Sequence, residues 1–141
     1  MLSGGEGNDT LIGGKGNDIY RFHRGDGSDT IHDEDTTPNN QDQVLLGEGI
    51  TSDQLWFSRQ GDDLYMQVIG TSDSMTINKH YIDEAHRIER FQLAGGKALS
   101  VAKIDALVDA MSAFAPPAIG KTTLPDDYQK ALNATIVASW Q

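Results

Sequence analysis

The sequence predicts a mainly β chain that ends in two helices. Three observations carry that prediction. Glycine-rich nonapeptides repeat in tandem near the start, apolar residues alternate in strand fashion over residues 50–93, and two stretches with helical apolar spacing follow from residue 100 onward. This divides the chain into repeats over 1–46, a β-rich covering segment over 47–98 and a helical tail over 99–141.

The repeats are Gly4-Gly5-Glu6-Gly7-Asn8-Asp9-Thr10-Leu11-Ile12 and Gly13-Gly14-Lys15-Gly16-Asn17-Asp18-Ile19-Tyr20-Arg21. Both fit G-G-x-G-x-D-x-U-x, where U is a large apolar residue. After Phe22 and His23 comes a degenerate copy, Arg24-Gly25-Asp26-Gly27-Ser28-Asp29-Thr30-Ile31-His32. A weaker copy is Thr37-Pro38-Asn39-Asn40-Gln41-Asp42-Gln43-Val44-Leu45. Leu2 fits the U position of a repeat whose start is missing, so Met1 is expected to replace upstream repeats of a longer chain. The apolar column is then Leu2, Leu11, Tyr20, Ile31 and Val44, and the acidic column is Asp9, Asp18, Asp29 and Asp42.

Three glycines in six residues let the backbone turn through left-handed conformations without a Cβ clash. Such a turn can aim several carbonyls at one point, and the Asp at the sixth position adds a carboxylate. Calcium takes 6–8 oxygens of these two kinds. One turn supplies too few, whereas two stacked turns suffice, with each U residue as the core of a very short strand. A flexible linker would explain the glycines but not the fixed register of Asp and apolar residue. A dinucleotide fingerprint fails because no apolar strand precedes the glycines and no helical pattern follows them.

These residues resemble the end of an RTX (repeat-in-toxin) protein. The resemblance implies a parallel β-roll, a calcium-binding solenoid in which successive nonapeptides alternate between two sides, so that calcium lies between repeat n and repeat n+2. Carried over by position, one site takes carbonyls of Gly5 and Gly7 with Asp9, facing carbonyls of Arg24 and Asp26 with Asp29. A second takes Gly14, Gly16 and Asp18 against Thr37, Asn39 and Asp42, although Thr37 and Pro38 stand where a glycine pair is expected. Asp33 and Asp35, in the acidic loop between the third and fourth copies, are either extra calcium ligands or solvated loop acids.

Beyond the repeats, Leu55–Arg59, Asp63–Val68, Ser74–Asn78 and Glu89–Leu93 read as strands separated by Gly61-Asp62 and Gly70–Asp73 turns. Antiparallel hairpins with one buried face fit that spacing. Gly49-Ile50, Leu55-Trp56-Phe57, Gly61-Asp62-Asp63-Leu64, Asp73-Ser74-Met75-Thr76-Ile77 and Ile88-Glu89-Arg90-Phe91 resemble the haemolysin-type calcium-binding related region that follows RTX repeats. That resemblance implies that the block continues the roll and covers its open end, a role solenoids need because a bare end exposes unpaired backbone. Trp56, Phe57, Tyr65 and Phe91 are expected to form its core, with carbohydrate stacking on Trp56 as the lesser alternative.

Ser100 is a plausible N-cap for a helix over 100–114 with Ile104, Leu107, Val108 and Met111 on one face. Pro125, Asp126 and Asp127 suit the start of a last helix carrying Tyr128, Leu132, Ile136 and Trp140. This tail resembles the uncleaved C-terminal signal by which RTX proteins leave Gram-negative bacteria through type I secretion; the alternative is a helix that simply packs on the cap.

The chain has 21 acids against 11 bases. Residues 1–50 hold ten acids and three bases, a net of −7, so the acidity concentrates where the metal sites are expected. That charge argues against nucleic acid or an anionic membrane as partner. The absence of cysteine removes disulfides, zinc–thiolate sites and thiol catalysis. No apolar run approaches the ~18–20 residues of a spanning helix. Gly120-Lys121-Thr122 lacks the earlier glycine of a phosphate loop, and Gly70–Ser74 lacks the second glycine of a nucleophile elbow. His80 and His86 flank Asp83 and Glu84 without an H-E-x-x-H, so they read first as surface or partly packed histidines. The expectation is a non-catalytic, secreted module that binds calcium ions, folds on doing so, passes transiently through a type I secretion apparatus and is monomeric as a fragment of a longer chain. The alternatives are an adhesin-type module for a surface glycan or protein, and the tail of a secreted hydrolase or toxin.

Overall fold

The computed structural model describes residues 2–3, 5–33, 41–71, 73–82, 88–114 and 124–140. It is mainly β with two helices. The repeats give one short strand each: β1 (Leu2–Ser3), β2 (Thr10–Ile12), β3 (Ile19–Phe22), β4 (Ser28–His32) and β5 (Gln43–Leu46). β2, β3 and β5 begin just after the acidic position of their repeats, whereas β4 begins one residue before Asp29 and includes it; β-branched, aromatic or other large apolar residues then take over. The covering segment adds β6 (Leu55–Gln60), β7 (Asp63–Val68), β8 (Ser74–Ile77), β9 (Arg90–Gln92) and β10 (Ala98–Ser100), with one 3-10 turn over Ser52–Gln54.

Odd and even repeats go to different sheets. One sheet runs β1-β3-β5-β9-β10, and the other runs β2-β4-β8-β7-β6. The repeat strands pair in parallel: Leu2 and Val44 flank Tyr20, and Leu11 lies beside Ile31. The covering segment extends both parallel runs before reversing. Val44 pairs with Phe91 and Ile31 with Ile77 in parallel, after which β7, β6 and β10 add on antiparallel. Both sheets are therefore mixed, and neither closes on itself. The hairpins expected over residues 55–78 exist, but β8 and β9 also continue the parallel stack, because an alternating strand can pair in either sense.

The apolar column is the core. Tyr20, Ile31, Val44, Ile77 and Phe91 are fully buried, and one hydrophobic cluster runs from Leu11 to Trp140. In β7 the buried residues Leu64, Met66 and Val68 alternate with partly exposed neighbours, as the sequence pattern requires.

The helices are α1 (Val101–Met111) and α2 (Asp126–Ser139). Ser100 is the N-cap of α1, and Pro125 occupies the N-cap of α2 with Asp126 and Asp127 in its first turn. Ile104, Leu107 and Met111 of α1, and Leu132 and Ile136 of α2, are buried. Two ring contacts tie the tail to the cap, Trp56 with Tyr128 at 5.8 Å and Phe57 with Trp140 at 6.4 Å, and within the cap Phe57 lies edge-on to Phe91 at 5.8 Å. The Phe57 N–H points at the Met111 sulfur, 3.3 Å away. Arg24, which replaces the first glycine of the third repeat, reaches across to the cap, donating to the Gly49 carbonyl at 2.9 Å and to the Gln54 side chain.

Phe57 thus joins the end of the repeat column to the tail. Phe57→Ala should cost about 3–5 kcal/mol, the usual range for an aromatic truncated in a packed core. Urea unfolding of the folded chain checks this, together with reduced protection of the Trp140 region in hydrogen exchange.

Candidate metal centre

The turns between strands line two edges of the coil. On the first edge, the turn ending at Asp9 lies beside the turn ending at Asp29. On the second, the turn ending at Asp18 lies beside Gln41 and Asp42. The second and fourth positions of the first three repeats all lie at positive φ, from 71° at Gly5 to 102° at Gly7. The turns stack closely. A Cβ on Gly27 would lie 2.8 Å from the Gly7 carbonyl oxygen, so a side chain there would push the two turns apart.

A repeated hydrogen-bond pattern locks turn to turn. The Asp9 N–H donates to Asp29 Oδ1 at 3.0 Å, and the Asp18 N–H donates to Asp42 Oδ1 at 2.7 Å. The Asp42 N–H donates in turn to Glu89 Oε1 at 2.8 Å. Asn8 and Asn17, the fifth residues of the two clear repeats, accept from the Ser28 N–H at 2.9 Å and the Gln41 N–H at 2.8 Å. Main-chain bonds run in parallel, from the Thr30 N–H to the Asp9 carbonyl and from the Gln43 N–H to the Asp18 carbonyl.

On the first edge, Asp29 and Asp26 are buried while Asp9 is half-buried. Asp9 Oδ2 and Asp29 Oδ2 are buried with no hydrogen-bond partner. Burial raises the Asp29 pKa, and the neighbouring charges that act on it, Asp9, Asp26 and Asp73, are carboxylates that raise it further; the Asp9 N–H works the other way. The Asp26 carboxylate accepts from the His23 N–H at 2.9 Å and faces the His23 imidazole at 3.6 Å, which leaves its carbonyl as the atom expected to face a cation. Arg24 is exposed, its side chain turned to the cap.

On the second edge, Asp18, Asp33 and Asp42 place one carboxylate oxygen each within 4.8 Å of one another. Asp33 and Asp42 are buried. The fully buried Tyr20 hydroxyl donates to Asp33 Oδ2 at 2.8 Å, whereas Asp33 Oδ1 has no partner. Burial pushes the Asp33 pKa up to about 8; the Tyr20 bond opposes this, and the contact with Asp42 and the charges of Asp42 and Asp18 add to it. Burial and the same acids also push Tyr20 up. Gly14 and Gly16 form the facing turn. Thr37, Asn39 and Asp35 lie outside the described residues, as do Asp83, Glu84 and His86.

The expected acidic pairs are therefore brought together, Asp9 with Asp29 and Asp18 with Asp42. Three contributors were not assigned from sequence. Asn8 and Asn17 are one, and their signal was the shared Asn at the fifth position. Tyr20 is another, since a buried tyrosine in an apolar column needs a partner for its hydroxyl. The third is Asp73, whose carboxylate accepts from the N–H groups of Gly25 at 2.9 Å and Gly27 at 3.1 Å. Oxygen-rich, carboxylate-bearing turns of this kind suit a hard cation such as calcium, and the unpartnered buried oxygens of Asp9, Asp29 and Asp33 fit one.

Residues 63–103 match the haemolysin-type calcium binding protein related domain. That stretch runs from β7 to the first turn of α1 and so contains the parallel strands β8 and β9. The chain is also 34% identical over 92 residues to a Neisseria meningitidis serogroup C protein named iron-regulated protein FrpA. The alignment covers 63% of this chain and 8% of that relative. No described helix is long and apolar enough to cross a membrane.

The electrostatics predict a pH dependence. Asp33 titrates near 3.8 when unfolded and near 8 in the cation-free fold, so the fold holds a proton that the open chain has lost. Stability of the cation-free fold must then fall as pH rises from about 4 to about 8 and level off above. In chelator, far-UV circular dichroism should show β structure growing as pH is lowered through that window. Asp33→Asn should flatten the trend.

Proposed function

We propose that the chain is a calcium-dependent folding module from the C-terminal end of an exported bacterial protein of RTX type. In this reading the two sheets form a parallel β-roll. One ion sits between the Gly5–Asp9 turn and the Arg24–Asp29 turn, taking carbonyls of Gly5, Gly7, Arg24 and Asp26 with both Asp carboxylates. Another sits between Gly14–Asp18 and Thr37–Asp42, taking Gly14, Gly16, Asp18, Thr37, Asn39 and Asp42. The observation that carries the proposal is the pairing of carboxylates in register on neighbouring turns, with buried oxygens of Asp9 and Asp29 left without a hydrogen bond. Leaving such oxygens buried is costly unless a cation compensates them. The match of residues 63–103 to a haemolysin-type calcium binding related domain supports the same ion.

The mechanism is a switch between chain states. Without calcium, the stacked acids repel, and each short strand buries too little apolar surface to offset chain entropy. The chain stays open in a low-calcium cytosol, a state suited to threading through a type I secretion channel. Outside, calcium at roughly 10⁻⁴–10⁻³ M matches the affinity range of extracellular modules. Binding free energy then becomes folding free energy. Each ion bridges two turns, so one filled site orders the next. The tail helices join the fold last in this scheme, because their partners Trp56 and Phe57 belong to the cap. The chain has no catalytic part in this role; any activity belongs to the rest of the longer protein.

A calcium titration followed by far-UV circular dichroism tests the switch. A cooperative coil-to-β transition in the submillimolar to millimolar range is expected, with Asp18→Asn moving its midpoint to higher calcium. Equal folding in chelator and in millimolar calcium would sink the proposal.

A further inference from the structure

The two edges are not equivalent. On the first edge the carboxylates are Asp9 and Asp29, and the stack stops there. Met75, not an acid, lies in register with Asp29 on β8. The further carboxylates on this edge are engaged elsewhere: Asp26 accepts from the His23 N–H, and Asp73 from the N–H groups of Gly25 and Gly27. On the second edge Asp33 enters from beyond the end of β4, a position the nonapeptide pattern does not provide for. It is 1% exposed, its Oδ2 is fixed by the Tyr20 hydroxyl at 2.8 Å, and its Oδ1 is unpartnered within the group formed by Asp18 and Asp42. The space is kept open by Gly13, where a Cβ would collide with the Tyr20 hydroxyl and the Asp18 carboxylate.

We infer that Asp33 is a third carboxylate ligand, making the Asp18–Asp33–Asp42 site the tighter of two unequal cation sites and the first to fill. Ligand charge count and rigidity set affinity at oxygen sites of this kind. Three carboxylates, one of them held by a buried tyrosine, outrank two. The higher charge also favours trivalent hard cations, so terbium should select this site. Tyr20, bonded directly to one ligand, lies close enough to sensitise terbium emission. The inference rests on the calcium reading given above, but it concerns the ranking of sites rather than their existence.

Calorimetric titration of the full chain with calcium should resolve a tighter and a weaker class. Asp33→Asn should weaken the tighter class by at least about tenfold, since even supporting partners of metal ligands are worth that much, and leave the weaker one in place. Asp29→Asn should do the reverse. Terbium at one equivalent should emit under tyrosine excitation in the native chain and in Asp29→Asn, and not in Asp33→Asn. Two classes that Asp33→Asn leaves unchanged would overturn the inference while preserving the calcium reading. Absence of calcium uptake by the native chain would remove both. Should Asp33→Asn fail to fold even in excess calcium, Asp29→Asn decides: a retained tighter class with terbium emission supports the assignment, and its loss overturns it.

Discussion

Among the described residues, the stacking of the repeats depends on one recurring interaction, the bond from the backbone N–H of one acidic residue to the carboxylate of an acid on the adjacent strand's turn. Asp9 donates to Asp29, Asp18 to Asp42, and Asp42 to Glu89. The bond fixes the spacing of the turns and, in doing so, aligns negative charge with negative charge. A charge-assisted hydrogen bond of this kind is favourable for each N–H it satisfies. The same geometry leaves the outer oxygens of Asp9 and Asp29 buried and unsatisfied. The stack is therefore complete as a backbone and incomplete as an electrostatic object, and only a cation or bound protons can close the difference.

The two ends of the chain's energetics are connected by the apolar column. A strand of three or four residues buries one or two side chains, too few to stand alone. Stacking puts Tyr20 on Val44 and Val44 on Phe91, and Phe91 then meets Phe57, which meets Trp140. The polar edge and the apolar centre are thus ordered together. Tyr20 belongs to both: its ring fills the column, and its hydroxyl holds Asp33. Arg24 makes a second connection on the surface, from the third repeat to Gly49 and Gln54 of the cap.

Much of this was legible in the sequence. The fixed spacing of Asp and apolar residue gave the strand positions β2 to β5 and the pairing of Asp9 with Asp29 and Asp18 with Asp42. Strict alternation gave β7 to the residue. What escaped was information that periodicity does not contain. Alternation in Ser74–Ile77 marks a strand but not its partner, so the parallel pairing of β8 with β4 could not be read from it. Ala98–Ser100 is too short to carry a pattern, and it exists because β9 offers an edge. Asp73 looks like the acid of another repeat. It instead binds the glycine turn of the third one, because it is displaced by two residues from the acidic register: Gly27, not Asp29, is the residue opposite it.

That displacement has a physical consequence for how the coil ends. A cation needs ligands from two turns, and the last turn of a stack has no successor. On the first edge, a protein carboxylate takes over the donors of the final glycine turn, so Gly25 and Gly27 are satisfied without a further ion. On the second edge, Glu89 accepts from the Asp42 N–H and closes the ladder in the same manner. The covering segment therefore ends the repeats chemically as well as sterically: it replaces the next turn's acceptors with its own side chains, reverses the strands to antiparallel, and lays α1 and α2 over the remaining apolar face.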